Sequence, residues 1–228
     1  MDITVKKLSK SFGDKSVLKD FSLTVKEGFT TVIMGKSGVG KTTLLNCIAG
    51  LLDYNGEILG VDGVSYVFQE DRLVEHLTVY GNLDFALSAK LSKEKRVGKI
   101  KEMLYDVELD SKVASYPSEL SGGQKKRVAL ARAFLSPEKT LLMDEPMNSL
   151  DLGLKDRIFT VFNGLKRKYF KTVVFVTHDV DEALSVADKI VVIDEAGEVY
   201  SHEFIGSSRD ITDDECNSVR KELLSVLR

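Results

Sequence analysis

Residues 35–43 read Gly35-Lys36-Ser37-Gly38-Val39-Gly40-Lys41-Thr42-Thr43. This stretch matches G-x-x-x-x-G-K-[ST], the pattern of a phosphate-binding loop, in which glycines let backbone N–H groups approach phosphate oxygens. An apolar run over residues 31–34 precedes it, and a helical stripe with Leu44, Leu45 and Ile48 follows it. Strand, glycine-rich loop and helix is the context that the motif needs. The stretch therefore predicts a nucleotide-binding site and a P-loop α/β fold.

Two side chains at the end of this loop have predicted roles in nucleotide binding. We expect the Lys41 ammonium group to reach the β and γ phosphates and the Thr42 hydroxyl to contact Mg²⁺. The helix that follows adds the partial positive charge of its N-terminus. The alternative is a glycine-rich turn that binds nothing, and the order of Lys41 and Thr42 after the last glycine argues against it.

The composition is that of an ordinary globular protein. The chain has 228 residues, of which 43% are hydrophobic and 29% charged. The net charge of −3 argues against non-specific affinity for nucleic acid or anionic lipid. Cys47 and Cys216 have no metal-ligand spacing and do not suggest a disulfide framework. We find no signal peptide and no apolar run long enough to span a bilayer, so we expect a cytoplasmic protein whose membrane role needs another subunit.

The predicted elements divide the chain into three regions. Short strands are expected over residues 1–30, helices and loops over 73–135, and buried strands over 141–143 and 173–176. The predicted fold class is therefore α/β: a P-loop NTPase core with a mostly parallel central sheet, an N-terminal antiparallel β-subdomain and an inserted α-helical subdomain. The predicted boundaries are an ATPase domain over 1–205, with its α/β core at about 1–71 and 138–205 and its helical subdomain at about 72–137, and a C-terminal helical tail over 206–228.

Acidic residues end one of the buried strands. Asp144 and Glu145 follow the apolar run 141–143, and ligands of parallel sheets bind at the carboxyl ends of the strands. We expect Asp144 to hold Mg²⁺, directly or through water, and Glu145 to orient or deprotonate an attacking water. The alternative is a strand that runs into a turn at Pro146. His178 ends the next buried strand and could contact a γ-phosphate, although a single histidine is more often structural.

A second glycine-rich motif occupies residues 120–124, Leu120-Ser121-Gly122-Gly123-Gln124. Ser121 and Gln124 have the spacing of a capping box, which would be a purely structural role at the start of a helix. Two glycines in the first turn weaken a helix but expose N–H groups at its positive end. The motif therefore also predicts a second anion-binding site on a chain that already has one.

In this order and spacing the motifs resemble those of the ATP-binding cassette (ABC) ATPases, from Phe12 to about Tyr200. The matching segments are the P-loop, Gln69, the LSGGQ signature at 120–124, Asp144-Glu145 as Walker B, Ser149-Leu150-Asp151 as the D-loop and His178 as the switch histidine. Many families share a P-loop, whereas a P-loop joined to LSGGQ at this spacing is specific.

The resemblance implies a role for each matching residue. Phe12 would stack on adenine, where many relatives have tyrosine, and Thr43 would touch the α-phosphate. The residues implied to bind ATP within one chain are Phe12, Gly35, Lys36, Ser37, Gly38, Val39, Gly40, Lys41, Thr42 and Thr43. The residues implied in catalysis are Lys41, Gln69, Glu145 and His178, and those implied to hold Mg²⁺ are Thr42, Gln69 and Asp144.

The resemblance also implies that the signature acts on a second subunit. Family members form head-to-tail dimers, and the γ-phosphate of ATP on the partner would be bound by Ser121, Gly122, Gly123 and Gln124. This arrangement accounts for two phosphate sites on one chain. The implied cofactors are ATP and Mg²⁺. The implied partners are a second ATPase subunit, expected to be identical, transmembrane permease subunits and a solute-binding protein, with no nucleic acid.

The leading expectation is the ATP-hydrolysing subunit of an importer, peripheral on the inner face of the cell membrane. In the family a groove near Gln69 receives a permease helix, and here it would involve roughly residues 70–80. The candidates are Arg72, Leu73, Val74 and Leu77, with a place in the core as the alternative for Leu73 and Leu77. Residues 68–73 and 176–184 are similar to the nitrate, sulfonate and taurine importer branch. Two alternatives stay open: an exporter or lipid-extraction ATPase with a separate membrane partner, and a soluble ABC ATPase without a transport role.

Overall fold

The computed structural model describes residues 1–87, 91–148, 150–194, 199–204 and 212–227. The strands are β1 (Ile3–Phe12), β2 (Lys15–Val25), β3 (Thr30–Met34), β4 (Asn55–Leu59), β5 (Val64–Val67), β6 (Thr140–Asp144), β7 (Thr172–Val176), β8 (Lys189–Ile193) and β9 (Val199–Glu203). The helices are α1 (Lys41–Ile48), α2 (Val79–Leu87), α3 (Lys93–Asp106), α4 (Gly122–Leu135), α5 (Leu152–Tyr169), α6 (Val180–Val186) and α7 (Asp213–Val226). Among the described residues, no helix has the length and apolar character needed to cross a bilayer.

In the described part of the chain, six strands form the central sheet, in the order β5-β6-β7-β3-β8-β9. The first five are parallel to one another, and β9 runs antiparallel to β8. Every residue of β3 and β7 is buried, as expected of parallel strands that are covered on both faces. The sheet confirms the predicted α/β fold class.

Alternate residues of the central strands supply two hydrophobic cores, because successive side chains of a strand point to opposite faces. Val32, Leu141 and Phe175 face a core that contains α2 to α5. Ile33, Leu142 and Val174 face a second core that contains α1 and the N-terminal sheet. Helix α1 and the loop before it are thus held between two sheets.

The N-terminal sheet has the order β2-β1-β4 and is antiparallel. Strands β1 and β2 contain 10 and 11 residues, which is longer than the short strands expected from the sequence. Their pairing has register irregularities between Val5 and Ser11, and bulges of this kind let a long strand bend with its partner. Because a bulge interrupts the alternation of side chains, the sequence predicts short strands where the structure has one long, bent strand.

Helices α2, α3 and α4 lie between β5 and β6 in the chain and pack around Leu83, Ile100 and Phe134. Within α2, the buried side chain of Asn82 accepts a hydrogen bond from the Val74 N–H at 2.8 Å and fixes the loop that precedes the helix. Near the end of the chain, α7 packs against α6. The predicted boundary at residue 205 lies outside the described residues, and the subdomain limits stay predictions.

Candidate functional site

The loop between β3 and α1 has a backbone that depends on glycine. Gly35 has a φ of 150°, and a Cβ there would collide with the backbone oxygen of Ile193. Gly40 caps α1 with a φ of 104°, and a Cβ there would lie 2.9 Å from the Leu18 side chain. Since α1 begins at Lys41, the first N–H groups of the helix have no partner within it and are directed at the loop.

The side chain of Lys41 folds back over this loop and is only 6% exposed. Its ammonium group donates to the carbonyl oxygens of Gly35 at 2.7 Å and Lys36 at 2.9 Å. Burial lowers the pKa of Lys41, and the charges of Glu145 and Asp144 oppose that effect. The cation therefore lies inside the loop, where the charges of two carboxylates act on it.

Helix α1 is joined to the end of β6 through Thr42, whose hydroxyl donates to Asp144 Oδ1 at 3.1 Å. Burial raises the pKa of Asp144, and the hydrogen bond from Thr42 offsets only part of this rise. Among the described residues, no group of three or more His, Cys, Asp and Glu side chains could hold a metal. A hydroxyl beside one carboxylate does fit Mg²⁺, which takes few protein oxygens and completes its shell with phosphate and water.

The carboxylate of Glu145 is contacted on both of its oxygens. His178 Nδ1 lies 3.4 Å from Oε1, and the Asn148 amide donates to Oε2 at 3.2 Å. The backbone of Glu145 has a φ of 43°, which is uncommon for a residue with a side chain. Its N–H donates to the Val176 carbonyl of β7 at 3.0 Å, so the ends of β6 and β7 meet at this residue.

An ion pair supports the segment that carries His178. Lys155 Nζ lies 2.6 Å from Glu182 Oε1 and 3.2 Å from Asp179 Oδ2. The Thr177 hydroxyl donates to the other Glu182 oxygen at 2.6 Å. Burial acts to lower the pKa of Lys155, but the hydrogen bonds and charges of Glu182 and Asp179 outweigh it and raise the pKa. Helix α5 is thereby tied to the loop on either side of His178.

The segment that begins at Gln69 is fixed to helix α4. Lys126 is 3% exposed, and its Nζ lies 2.7 Å from Asp71 Oδ1 and donates to the Gln69 carbonyl at 3.3 Å. Arg132, two turns further along α4, donates to the carbonyls of Arg72 at 2.9 Å and Asp71 at 3.2 Å. The backbone of residues 69–72 is therefore attached to α4, the helix whose N-terminus is formed by the signature.

The signature itself forms the N-terminus of α4. Ser121 Oγ accepts from the Gln124 N–H at 3.4 Å and the Gln124 side chain accepts from the Ser121 N–H at 2.9 Å, which confirms the predicted capping box. A Cβ at Gly123 would collide with the Leu154 side chain of α5, so a larger residue there would require that side chain to move. A Cβ at Gly122 would meet no atom of the described residues within 4 Å.

A cleft of 740 Å³ lies between Thr42, the Gln69 segment, Gly122 and Asp144. Two stacked rings form one wall, since the centroids of Tyr66 and Phe68 lie 4.1 Å apart and the Arg72 guanidinium lies 3.7 Å from the Phe68 centroid. The polar lining comes from the P-loop helix, the Gln69 segment, the signature and the end of β6, and includes Thr42, Gln69, Asp71, Gly122, Asp144 and Asn148.

Other predicted site residues lie around this centre. Phe12 ends β1 with 49% of its surface exposed, on the hairpin whose β2 strand touches the P-loop at Gly40. Asp151 caps α5, and its side chain accepts from the Leu154 N–H at 3.0 Å. Ser149 lies outside the described residues. The predicted roles of the individual site residues stay predictions.

Sequence reasoning gave no role to Lys126, Asn148 or Lys155. Lys126 is a cation inside a largely buried helix, and hydrophobic periodicity does not predict its distant partner Asp71. Asp179 and Glu182 do have the spacing of a capping box, and that signal marks the start of α6. It does not reveal that Glu182 turns inward to Lys155.

The geometry defines a P-loop nucleotide-binding domain with a second glycine-rich helix start. The sequence model of the family described as ABC transporter matches residues 18–148. The spermidine/putrescine import ATP-binding protein PotA of Haemophilus ducreyi is 36% identical over 228 residues, 94% of this chain and 60% of that protein. The sulfate/thiosulfate import ATP-binding protein CysA 2 of Shewanella oneidensis is 40% identical over 210 residues, 85% of this chain and 59% of that protein. The chain therefore spans less than two thirds of the length of these relatives.

Two solved structures of ABC transporter chains have a fold similar to that of this chain. A bacterial ABC transporter cassette solved as a dimer has a TM-score of 0.76 and 32% identity, covering 90% of this chain and 99% of that one. A chain from an inward-facing ABC transporter of metal-chelate type has a TM-score of 0.78 at 22% identity, covers 96% of this chain and 88% of that one, and shows the fold alone. The chain belongs to the ABC transporter family and is an ATP-binding domain of it, as the motifs predicted. The nitrate, sulfonate and taurine branch stays a prediction.

Replacing Lys155 with Met is expected to lower the free energy of unfolding by about 3 kcal/mol, because it leaves the Glu182 carboxylate buried without its cation. Urea denaturation followed by circular dichroism measures the loss. The double variant Lys155→Met/Glu182→Leu should be more stable than Lys155→Met alone, since it removes both charges. The single variant Glu182→Leu completes the comparison. A double variant whose loss of unfolding free energy equals the sum of the losses of Lys155→Met and Glu182→Leu would contradict this account.

Proposed function

We propose that this chain is the ATP-binding and ATP-hydrolysing subunit that powers a membrane transporter, for the import of a small solute. The observation that carries the proposal is the convergence of Thr42, Asp144 and Glu145 beside the P-loop, with the His178 ring against Glu145. The names of the relatives, which are import ATP-binding proteins, support import over export.

The proposed binding step uses the P-loop and the hairpin next to it. The N–H groups at the start of α1 and the Lys41 ammonium group bind the phosphates, and Phe12 stacks on the adenine. Thr42, Asp144 and Gln69 hold Mg²⁺. Mg²⁺ held there would neutralise part of the negative charge of the phosphates.

The proposed hydrolytic step depends on Glu145. Its carboxylate orients the attacking water and accepts a proton from it, while His178 and Gln69 contact the γ-phosphate and the water. The charges of Glu145 and Asp144 both raise the pKa of Lys41, which is consistent with one reaction centre.

The signature is proposed to act on ATP held by a second copy of the chain. Ser121, Gly122, Gly123 and Gln124 would bind the γ-phosphate across a head-to-tail dimer, and its loss on hydrolysis would let the dimer open. The open space at Gly122 leaves room for a phosphate at the start of α4. The D-loop residues Ser149 and Asp151 would lie along the same interface, and the dimeric state of the related cassette supports the arrangement.

The remaining proposed partners are transmembrane permease subunits and a solute-binding protein, with the chain peripheral on the inner face of the cell membrane. Residues 70–80 are the proposed contact for the permease. Within this segment Leu73 is partly buried against the core that contains α2 to α5, whereas Arg72 is exposed and lies over the Phe68 ring. A displacement of the permease helix would therefore act directly on the segment that contains Gln69.

Replacing Glu145 with Gln is expected to lower the rate of phosphate release by about 100-fold or more, because the side chain no longer accepts a proton. Affinity for ATP, measured by equilibrium dialysis, should stay that of the unaltered chain. Lys41→Ala is the paired control and should lose ATP affinity instead. Hydrolysis at the original rate by Glu145→Gln would refute the assignment of the base.

The dimer proposal is tested by mixing two inactive variants. Lys41→Ala disables the P-loop, and Gly122→Asp places a carboxylate where the partner's phosphate would lie without a clash inside its own chain. In a head-to-tail dimer the mixture re-forms one intact site, so hydrolysis should return, whereas neither variant recovers alone. No recovery in a mixture that demonstrably forms heterodimers would show that each site is built within one chain.

The transport proposal predicts that a tagged chain, purified from gently solubilised membranes of its native cell, brings down a polytopic membrane protein. Mass spectrometry identifies what is recovered. The Glu145→Gln variant, which should hold ATP without hydrolysing it, serves as a second bait. Recovery only from the soluble fraction, with nucleic acid, ribosomes or nothing attached, would favour a soluble ABC ATPase.

A further inference from the structure

Asn148 contacts the proposed base and has no role in the proposed function. Its side-chain amide donates to Glu145 Oε2 at 3.2 Å, and the opposite oxygen, Oε1, lies 3.4 Å from His178 Nδ1. Asn148 also lines the cleft in which Thr42, Gln69 and Asp144 meet. The amide therefore acts on the carboxylate at the place where the reaction is proposed to occur.

We propose that Asn148 is a positioning residue for hydrolysis: its amide holds Glu145 Oε2 and so directs Oε1, beside His178, toward the attacking water. The inference rests on the proposed function, because it presumes that Glu145 is the base. It adds a residue that determines how often the base points in the productive direction.

The turn after β6 brings Asn148 back over Glu145. The Asn148 N–H donates to the Glu145 carbonyl at 3.2 Å, which closes a turn over residues 145–148. Inside this turn Pro146 and Met147 are buried, and Met147 has no exposed surface. The same two residues are thus joined by one backbone and one side-chain hydrogen bond, and the buried residues between them fix the distance.

The backbone of Glu145 explains why a second attachment is useful. Its φ of 43° is held by the hydrogen bond to Val176, and this sets the direction in which the side chain leaves the strand. The carboxylate lies beyond three rotatable bonds, so the backbone alone does not fix its oxygens. A hydrogen bond to one oxygen restricts that freedom before the substrate arrives.

The chemistry of the amide suits this role. It donates a hydrogen bond to a carboxylate, which is a strong acceptor, but it brings no charge of its own. A cation at residue 148 would compete for the carboxylate as an ion pair, and an acid would repel it. A neutral donor holds the base and leaves its negative charge available.

The test compares Asn148→Ala with Asn148→Asp. Loss of the hydrogen bond in Asn148→Ala should lower kcat for ATP hydrolysis by about tenfold and leave the KM for ATP unchanged. Asn148→Asp keeps the shape but sets one carboxylate against another, so its kcat should be lower still. If the residue served only packing, Asn148→Asp would behave like the unaltered chain and Asn148→Ala would be worse, which would overturn the proposal.

A matched control and a second readout accompany this comparison. Asn163→Ala removes an amide of similar burial that donates to the Ser185 carbonyl at 3.2 Å, outside the site, and should leave kcat unchanged. ATP affinity by equilibrium dialysis and the thermal unfolding midpoint should be the same for the Asn148 variants as for the unaltered chain. A weakened ATP affinity with an unchanged kcat would make Asn148 a binding residue and overturn the inference.

A double variant separates this inference from the function on which it rests. With Glu145→Gln already present, Asn148→Ala should lower the residual rate no further, since the base it positions is gone. An additional tenfold loss in that background would show that Asn148 acts elsewhere. Glu145→Gln with an unaltered rate would remove the proposed function, whereas an inactive Glu145→Gln beside a fully active Asn148→Ala would remove only the inference.

Discussion

The parallel register of β3, β6 and β7 is the constraint on which the site depends. Val176 of β7 lies opposite Ile33 on one side and Asp144 on the other, so all three strands end at the same edge of the sheet. The Thr177 N–H donates to the Ile33 carbonyl at 3.2 Å, which extends the ladder beyond the last pair. The P-loop, the acidic pair and His178 therefore leave the sheet together, and a slip of one residue would turn their side chains to the wrong face.

Two helices join the motifs that are far from this edge. Helix α4 carries the signature at its N-terminus and holds the Gln69 segment through Lys126 and Arg132. Helix α5 starts at the Asp151 cap and holds the His178 segment through Lys155. The two helices touch where Gly123 meets a leucine side chain of α5. Because the Gln69 segment is attached to α4, any movement of α4 in the proposed dimer would carry with it the segment proposed to contact the permease.

The sequence predicts the parts of this design that follow from residue type and local spacing. Continuous apolar runs predict buried parallel strands, and the glycine pattern before Lys41 predicts the backbone of the phosphate loop. The sequence does not predict the long strands β1 and β2, because their bulges interrupt the periodic pattern of side chains. It also misses contacts that tertiary structure creates, such as Lys126 with Asp71. At Gly123 the sequence predicts anion binding. The structure adds a contact with the Leu154 side chain of α5, and the sequence around Gly123 carries no signal of a contact so distant along the chain.

The Lys126–Asp71 pair has a consequence for the conditions in which the domain works. The two side chains are 4% and 20% exposed, so dissolved ions have little access to the space between them. Salt screens charges across water far more strongly than charges inside a protein. The attachment of the Gln69 segment to α4 is therefore less sensitive to ionic strength than a bridge between two fully exposed side chains would be.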